Sequence, residues 1–433
     1  MDMKKKDKLK IPRIILALLT VVLVLYGTFF ISSYAGVSTG VIFFVITALI
    51  TVLILFLGNK HSKTAFILGI IYLAVLLALS VTGYKADQKL SGMEAAPEYE
   101  VVQIVAMKDS NITGEDSFES YKLGYSSNDP NAYNECSDIL KEHEKKVYKT
   151  KPSKDIYHSY ELLKKNNLQL MLLTGVSRGE LKEKYPDYQK ETVVIFEKKY
   201  VKNEVKAKYV DIEKEPCVLY LQGADLSSGD NINATGRGDC NVLLTINPKT
   251  KKVNMQVIPR DTFVNIPSMG GRSKLSYSGG WGGIQSSIES IEEEFGIDIN
   301  FYAKINFDGV MDLVDALGGV KVYSQYDFYG GGYHFVQGYN ELNGDQALYF
   351  VRERKSLPLN ELSRGRNQMA MIKAILNKFA ENPDYDSAMA VLDKLSENFV
   401  TNIPKKDYLK TFNVVVDLLP ALEKMEPKSM EGE

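Results

Sequence analysis

Cysteine is scarce in this chain. Its 433 residues hold three, Cys136, Cys217 and Cys240. Three cannot all pair, and an exported domain of this size with so few is not a disulfide scaffold. That suits a bacterium with little extracellular disulfide chemistry. Internal repeats and low-complexity tracts are also missing. The length is therefore spent on ordinary domains, two or three of them. Charge is absent from residues 14–59 and again from residues 65–84. A polar, glycine-containing break at residues 32–40 divides the first run in two. Each of the three resulting spans has about twenty residues, enough to cross a hydrocarbon core of ~30 Å. No Ala-x-Ala site follows the first span, which argues against a cleaved signal peptide.

Where charge is present, it is unevenly placed. Residues 1–90 carry ten Lys/Arg and three Asp/Glu, whereas the remaining 343 carry 42 and 51, a net charge of -9. Lys4, Lys5, Lys6, Lys8, Lys10 and Arg13 precede the first span, and Lys60 and Lys63 lie between the second and third. The loop between the first two spans carries none. The positive-inside rule then predicts a cytoplasmic N-terminus and an extracellular chain beyond Tyr84. An acidic ectodomain is a poor general nucleic-acid binder, so no nucleic-acid partner is expected.

The pattern predicts a cytoplasmic tail (1–13), three transmembrane helices (14–84), a polar linker (85–98), a small α/β accessory domain (99–213), a larger α/β domain (214–425) and a C-terminal tail (426–433). In the accessory domain, strands are expected at 100–107, 168–173 and 192–197, and helices at 131–146 and 156–165. It is rich in Lys and Glu and holds no cluster of His, Cys or Gly with site spacing. A spacer or partner-binding role is the expectation. In the larger domain, strands are predicted at 217–222, 241–246, 253–258, 301–307 and 320–323. Helices are predicted at 284–295, 308–317, 361–379, 387–398 and 406–422. Alternating strands and helices argue for a sheet covered on both faces.

Charged residues gather at the predicted strand ends. Asp225 follows the first strand, Arg237 and Asp239 precede the second, and Arg260 and Asp261 follow the third. Ligands of α/β sheets sit at such ends. Farther on, the apolar run 348–351 delivers Arg352 and Arg354, and Arg364 and Gln368 open a helix. On extended chain, Arg352 and Arg354 would point to one side; on a helix, Arg364 and Gln368 share a face. Guanidinium forks match phosphate oxygens, and Mg2+ takes one or two protein carboxylates and completes its shell with water and phosphate oxygens. Taken singly, each Asp fits a turn or cap, Arg260–Asp261 fits a strand-end ion pair, and Glu353 and Glu361 are available as salt-bridge partners. Taken together, the residues point to a multiply charged phosphate ligand.

The same residues carry a family resemblance. Gly236-Arg237-x-Asp239, Ile246-Asn247-Pro248-Lys249-Thr250 and Ile258-Pro259-Arg260-Asp261-Thr262 occur in order. Val314-Asp315-Ala316-Leu317-Gly318-Gly319-Val320, Leu342-Asn343-Gly344-x-x-Ala347-Leu348, Arg352-x-Arg354 and Arg364-x-x-x-Gln368 follow. This run, within residues 217–379, resembles the extracytoplasmic catalytic domain of the LytR–CpsA–Psr family. Three spans and an accessory domain resemble its streptococcal capsule-associated branch. The resemblance implies an α-β-α domain with a central mixed sheet flanked by helices and an apolar tunnel for a lipid tail. It implies transfer of a glycopolymer phosphate, capsular or teichoic-acid-like, from undecaprenyl pyrophosphate to peptidoglycan, releasing undecaprenyl phosphate. Asp225 and Asp239 match the carboxylates that hold Mg2+, with Mn2+ the alternative ion. Arg237, Arg260, Arg352, Arg354, Arg364 and Gln368 match the positions around the pyrophosphate. The implied partners are the polyprenyl-linked polymer, peptidoglycan, membrane lipid and other wall or capsule assembly proteins; the implied location is the bacterial cell membrane.

This chain departs from the family's pattern in places. Ala224 and Leu226 flank Asp225 where the family often has Ser or Thr and a further Arg. Gly238 and Cys240 replace the hydroxyl residues beside Asp239, Tyr277 stands where many members have His, and Glu361 stands near a usual Asp. Arg260, Asp261, Arg352 and Arg354 are the expected catalytic set, with Asp261 or a metal-binding carboxylate as the base. Two other functions fit the same residues: a polyprenyl-phosphate sensor or assembly scaffold without turnover, and a lipid pyrophosphatase.

Overall fold

The computed structural model describes residues 10–35, 37–60, 62–112, 121–142, 149–202, 204–205, 207–226, 230–381, 385–423 and 428–429. Residues 1–9, the expected helical residues 143–146 and most of the expected C-terminal tail lie outside these. The chain forms two compact units. One contains three long helices, α1 (Lys10–Ala35), α2 (Val37–Lys60) and α3 (Ser62–Gly92), together with residues 403–417. All three helices are long and apolar enough to cross a membrane. Most of their large aliphatic side chains face outward, as a lipid solvent permits. Their hydroxyls bond back along the helix, Thr20 Oγ1 to Leu16 O (2.9 Å) and Thr28 Oγ1 to Val24 O (2.7 Å).

The second unit is α/β and contains two main sheets. The smaller has five strands, β1 (Tyr99–Met107), β2 (Lys122–Ser126), β3 (Lys149–Ser153), β4 (Leu170–Leu173) and β5 (Thr192–Val201), in the order β3-β2-β4-β1-β5. Helices α4 (Pro130–Glu142), α5 (Ile156–Lys164), α6 (Gly175–Lys184) and α7 (Tyr188–Glu191) accompany them. Strands β2 and β3 and helix α6 were not expected. β3 reads Lys-Thr-Lys-Pro-Ser and is exposed along nearly its whole length; as a polar edge strand it has no apolar alternation to betray it. α6 begins at a Thr174 capping box closed by Ser177, and this interaction satisfies two of the helix's first backbone donors.

The larger sheet contains β6 (Cys217–Asp225), β7 (Arg237–Asn247) and β8 (Lys252–Val257). A short hairpin, β9 (Phe263–Ile266) with β10 (Gly271–Lys274), leads into helix α8 (Leu275–Phe295). Then come β11 (Phe301–Asn306), α9 (Phe307–Ala316), β12 (Val320–Ser324), β13 (Phe328–Gly330), β14 (Tyr333–Phe335), β15 (Gly338–Leu342) and α10 (Gly344–Arg352). The chain ends with α11 (Glu361–Ala380), α12 (Tyr385–Asn398), β16 (Phe399–Thr401), α13 (Tyr408–Glu423) and β17 (Lys428–Ser429). The sheet order is β16-β11-β6-β7-β8-β17. It is mixed: β6 pairs parallel with β11 and antiparallel with β7. β17, within the expected tail, pairs parallel with β8. One core cluster joins β6, β7, β9 and β11 to α8 through Tyr220, Leu243, Val264, Ile284, Ile288 and Tyr302. A second gathers Val314, Phe328, Phe335, Phe350 and Met371 from α9 to α11.

Two differences from expectation matter for the site. The apolar run before Arg352 is the last part of helix α10, not extended chain. An Asn343–Gln346 capping box starts that helix, and Ala347, Leu348, Phe350 and Val351 bury one face. A short apolar run suits strand and helix equally by pattern, and here the cap decides. Helix α8 starts nine residues before its apolar stripe and is broken at Gly283, whose φ of 72° and ψ of -170° are not helical. Glu98, just before β1, accepts a hydrogen bond from the Ile284 N–H at that break. The same carboxylate accepts from Lys304 Nζ on β11.

Candidate active site

The strand ends at β6 and β7 build the floor of a pocket of about 270 Å3. Asp225, the last residue of β6, lies opposite Arg237, the first of β7. Their side chains pair, Arg237 Nη2 donating to Asp225 Oδ2 at 2.8 Å. The β6–β7 register then slips: Gly223 pairs with Cys240 and Ala224 with Gly238. Asp239 is the extra residue of that bulge. A bulge re-aims one side chain and interrupts the ladder, and here it turns Asp239 to Arg260 in the turn after β8. Arg260 Nη1 donates to both Asp239 oxygens, at 2.8 and 2.9 Å.

The remaining cations arrive from helices. Arg364, in the first turn of α11, donates to the Asp239 carbonyl (3.2 Å) and pairs with Glu361. Gln368, one turn on, donates to the Val351 carbonyl (3.4 Å), tying α11 to α10. Arg352 closes α10, with its guanidinium 4.5 Å from the centre of the Phe307 ring. Arg354 lies two residues beyond. Thus eight of the nine residues expected from sequence, Asp225, Arg237, Asp239, Arg260, Arg352, Arg354, Arg364 and Gln368, line one pocket. Asp261 is not among the lining residues; it pairs with Lys274 at 2.9 Å. Among the described residues, Glu353 forms no ion pair with the arginines; it accepts instead from the Arg354 and Ser356 N–H groups.

One wall of the pocket comes from the small sheet's helix α6 and the turn after it, through Gly179, Lys182, Glu183 and Pro186. Glu183 Oε2 accepts from Arg237 Nη1 at 3.1 Å, and its Oε1 accepts from Arg354 Nη2 at 3.0 Å. Arg260 Nη2 is 3.8 Å from the same Oε1. Sequence reasoning missed Glu183. It sits in Glu180-Leu181-Lys182-Glu183-Lys184, which reads as a solvated helix face. Tyr277, at the position where many members have His, donates from its hydroxyl to Glu180 Oε1 of α6 at 2.7 Å.

The electrostatics follow from this convergence. Burial opposes the charge of Asp239, but Arg260, Arg237 and Arg364 outweigh it and hold the carboxyl below the usual range. Burial likewise works against Glu183, and Arg237, Arg260 and Arg354 overcome it. Burial also disfavours charged Arg260, yet Asp239 raises its basicity further. Cys240, beside Asp239, has its thiol pushed up to about 12 by burial, so it is no ready thiolate. The Nε atoms of Arg237, Arg260 and Arg364 are buried without a hydrogen-bond partner among the described residues. A buried donor left unpaired costs about 1–3 kcal/mol.

For a metal, the donor set is two carboxylates, Asp225 and Asp239. Among the described residues, no group of three or more His, Cys, Asp or Glu side chains could hold an ion. Two hard oxygen donors in an arginine-lined pocket are a donor set of the kind Mg2+ takes, the rest of its shell coming from water and ligand oxygens. They do not match a four-ligand zinc site.

The LytR_cpsA_psr family model matches residues 185–428, more than half of the chain. The chain therefore belongs to the LytR_cpsA_psr family. It is 36% identical over 224 residues to the polyisoprenyl-teichoic acid–peptidoglycan teichoic acid transferase TagU of Oceanobacillus iheyensis, covering 50% of this chain and 64% of that one. The TagU of Bacillus mycoides is 35% identical over 185 residues, covering 43% and 60%. The chain thus spans somewhat less than two thirds of the curated relatives it matches. Among solved structures, it resembles Bacillus subtilis TagU (29% identity, TM-score 0.41, 50% of this chain and 84% of that one). It also resembles a Streptococcus agalactiae protein (27% identity, TM-score 0.46, 52% and 81%).

Proposed function

We propose that this protein transfers a glycopolymer, through its phosphate, from a polyprenyl pyrophosphate carrier to a hydroxyl of peptidoglycan. The observation that carries the reading is the meeting of Arg237, Arg260, Arg352, Arg354 and Arg364 with Asp225 and Asp239 in one pocket. An uncharged substrate would have no use for so many cations; a pyrophosphate does. The acceptor hydroxyl attacks the phosphorus bonded to the glycopolymer and forms a new P–O bond. The bridging P–O bond breaks, its electron pair leaves with the prenyl phosphate, and the hydroxyl proton passes to solvent or a carboxylate. The transition state of such transfers is loose, so positioning and charge stabilisation matter more than a strong base. Asp225 and Asp239 are the residues that would hold Mg2+, which supplies Lewis-acid charge when bound.

The arginines have separable parts in this scheme. Arg237 and Arg260 are locked by the aspartates and form a fixed floor. Arg352, the last residue of α10, and Arg354, two residues beyond it, meet the outer phosphate. Phe307 and Val351 give the pocket an apolar side, on which the prenyl chain leaves. The charge bias of the N-terminal loops supports a cytoplasmic N-terminus and an extracellular catalytic domain, in reach of wall polymers.

The test uses the full-length protein in detergent with a synthetic polyprenyl-pyrophosphate-linked saccharide, peptidoglycan oligomers and Mg2+. Mass spectrometry should find a saccharide-phosphate adduct on peptidoglycan that Arg352→Ala and Asp239→Ala abolish. Arg352 is exposed, so its loss leaves the fold intact. Tight lipid binding with no adduct would identify a sensor or scaffold instead. Release of lipid phosphate without acceptor would identify a pyrophosphatase.

A further inference from the structure

The small sheet contributes more than a wall. Along α6, residues 176, 179, 180 and 183 share one helix face, and each meets the larger domain. A Cβ on Gly280 would lie 2.3 Å from Val176 Cγ2, so the valine methyl packs directly on the glycine backbone of α8. A Cβ on Gly179 would lie 3.1 Å from Arg237 Nε, so the missing side chain lets that guanidinium run beneath the helix. Glu180 accepts from Tyr277. At the end of the stripe, Glu183 spreads one carboxylate over Arg237, Arg354 and Arg260.

The three carboxylates of the pocket differ in one respect. The side chains of Asp225 and Asp239 are 8% and 11% exposed, whereas that of Glu183 is 43% exposed. The aspartates are enclosed by strand ends. Glu183 projects from the end of a helix on a long side chain that can turn away without disturbing the sheet. It also occupies the oxygen positions that two of the three guanidiniums would offer a phosphate, because carboxylate and phosphate accept from the same forks.

Resting on the pyrophosphate reading above, we infer that Glu183 is a tethered competitor, supplied by the accessory domain, that fills the guanidinium cluster and is displaced when pyrophosphate enters. The accessory domain then sets the affinity of the site. Its carboxylate lowers the affinity for any lone phosphate, which cannot replace all three contacts, and yields to a pyrophosphate, which can.

The experiment titrates methylenediphosphonate, a non-hydrolysable pyrophosphate mimic, into the full-length protein in detergent by calorimetry, comparing wild type with Glu183→Gln. The substitution keeps the side chain's size at a half-exposed position, and a thermal melt checks that the fold persists. Glu183→Gln should bind about fivefold more tightly, the order set by half-exposed ion pairs, with the difference shrinking as salt rises. Inorganic phosphate should show a larger gain than the diphosphonate. Unchanged or weaker diphosphonate binding by Glu183→Gln, with wild type binding normally, overturns the competitor role and leaves the pyrophosphate site standing. Failure of both folded proteins to bind the diphosphonate overturns this inference together with the proposed function.

Discussion

Replacing Lys304 with Met should unseat the element that ties the small sheet to the larger one. Lys304 lies on β11 with its side chain 1% exposed, and it donates to Glu98 and to the Ala234 carbonyl (2.8 Å). Glu98 is 6% exposed and also accepts from Ile284 at the break in α8. Methionine keeps the stem and loses the charge, so Glu98 stays buried with one N–H for company. Breaking a buried ion pair from one side costs about 3–5 kcal/mol, a large part of the ~5–15 kcal/mol that holds a domain together. Lys304→Met/Glu98→Gln should recover roughly half, because the amide still accepts from Ile284 while Ala234 O loses its donor. Trp281, the only tryptophan, provides the readout: it is 5% exposed, its ring centre lies 5.0 Å from that of Tyr277, and its carbonyl accepts from Asn131 of α4. Urea unfolding of the full-length protein in detergent, followed by Trp281 fluorescence, should place the midpoint of Lys304→Met well below wild type, with the double variant between. A single variant within about 1 kcal/mol of wild type, or a double variant no better than the single, would refute the claim that this pair carries the docking.

Gly283→Ala tests the same seam from the other side: a Cβ there would sit 2.3 Å from Glu98 Oε2 at a φ of 72°, so a loss of about 1–3 kcal/mol is expected in the same fluorescence assay, and an unchanged midpoint would count against it. Glu135 of α4 is buried, and burial followed by neighbouring Glu100 raises its carboxyl above the ordinary range. The folded state then holds a proton that the unfolded state releases above about pH 4.5, so this group's contribution is present below that pH and declines as pH rises, by up to about 1.4 kcal/mol per unit. Glu135→Gln should therefore gain stability over wild type between pH 5 and 8 and not at pH 4; a constant difference across that range would contradict it. Asp225→Asn should weaken Mn2+ binding at least tenfold, measured by calorimetry with methylenediphosphonate present, whereas Arg352→Ala should weaken diphosphonate binding and spare the metal. Equal metal affinity in Asp225→Asn and wild type would remove Asp225 from the proposed ligand set.

How far the site was legible in sequence depended on which residues were local to a motif. Asp225, Arg237 and Arg260 stand at the ends of apolar strands, where each alone reads as a turn, cap or ion-pair residue, and only their joint pattern with the other arginines pointed to a site. Arg352 and Arg354 line the pocket, but not from the extended chain expected: the run before them is a capped helix, and the pair meets different partners, Phe307 and Glu183, rather than one face of a strand. The bulge that turns Asp239 to Arg260 has only a weak sequence signal, a glycine at 238 inside the strand pattern, where a Cβ would lie 2.9 Å from Asn241 Oδ1 and Gln222 Nε2. Glu183 was illegible in principle. It is one acid in a mixed-charge helix, and only the docking of α6 against α8 and β7 gives it three guanidinium partners.

That last residue also answers a physical requirement of such a site. Five guanidiniums and Lys182 line a pocket of about 270 Å3, and like charges held this close repel whenever no ligand separates them. The empty site must therefore be neutralised from within. Carboxylates sunk in the strand ends can do part of this permanently, as Asp225 does for Arg237 and Asp239 for Arg260. They cannot do all of it, because a fully neutralised cluster would have no attraction left for pyrophosphate. A carboxylate that is present in the empty site and absent from the filled one resolves the conflict, and it must come from a flexible side chain at the rim. Arg354 has no ion-pair partner other than Glu183 among the described residues, so its guanidinium is left without a carboxylate when Glu183 turns away.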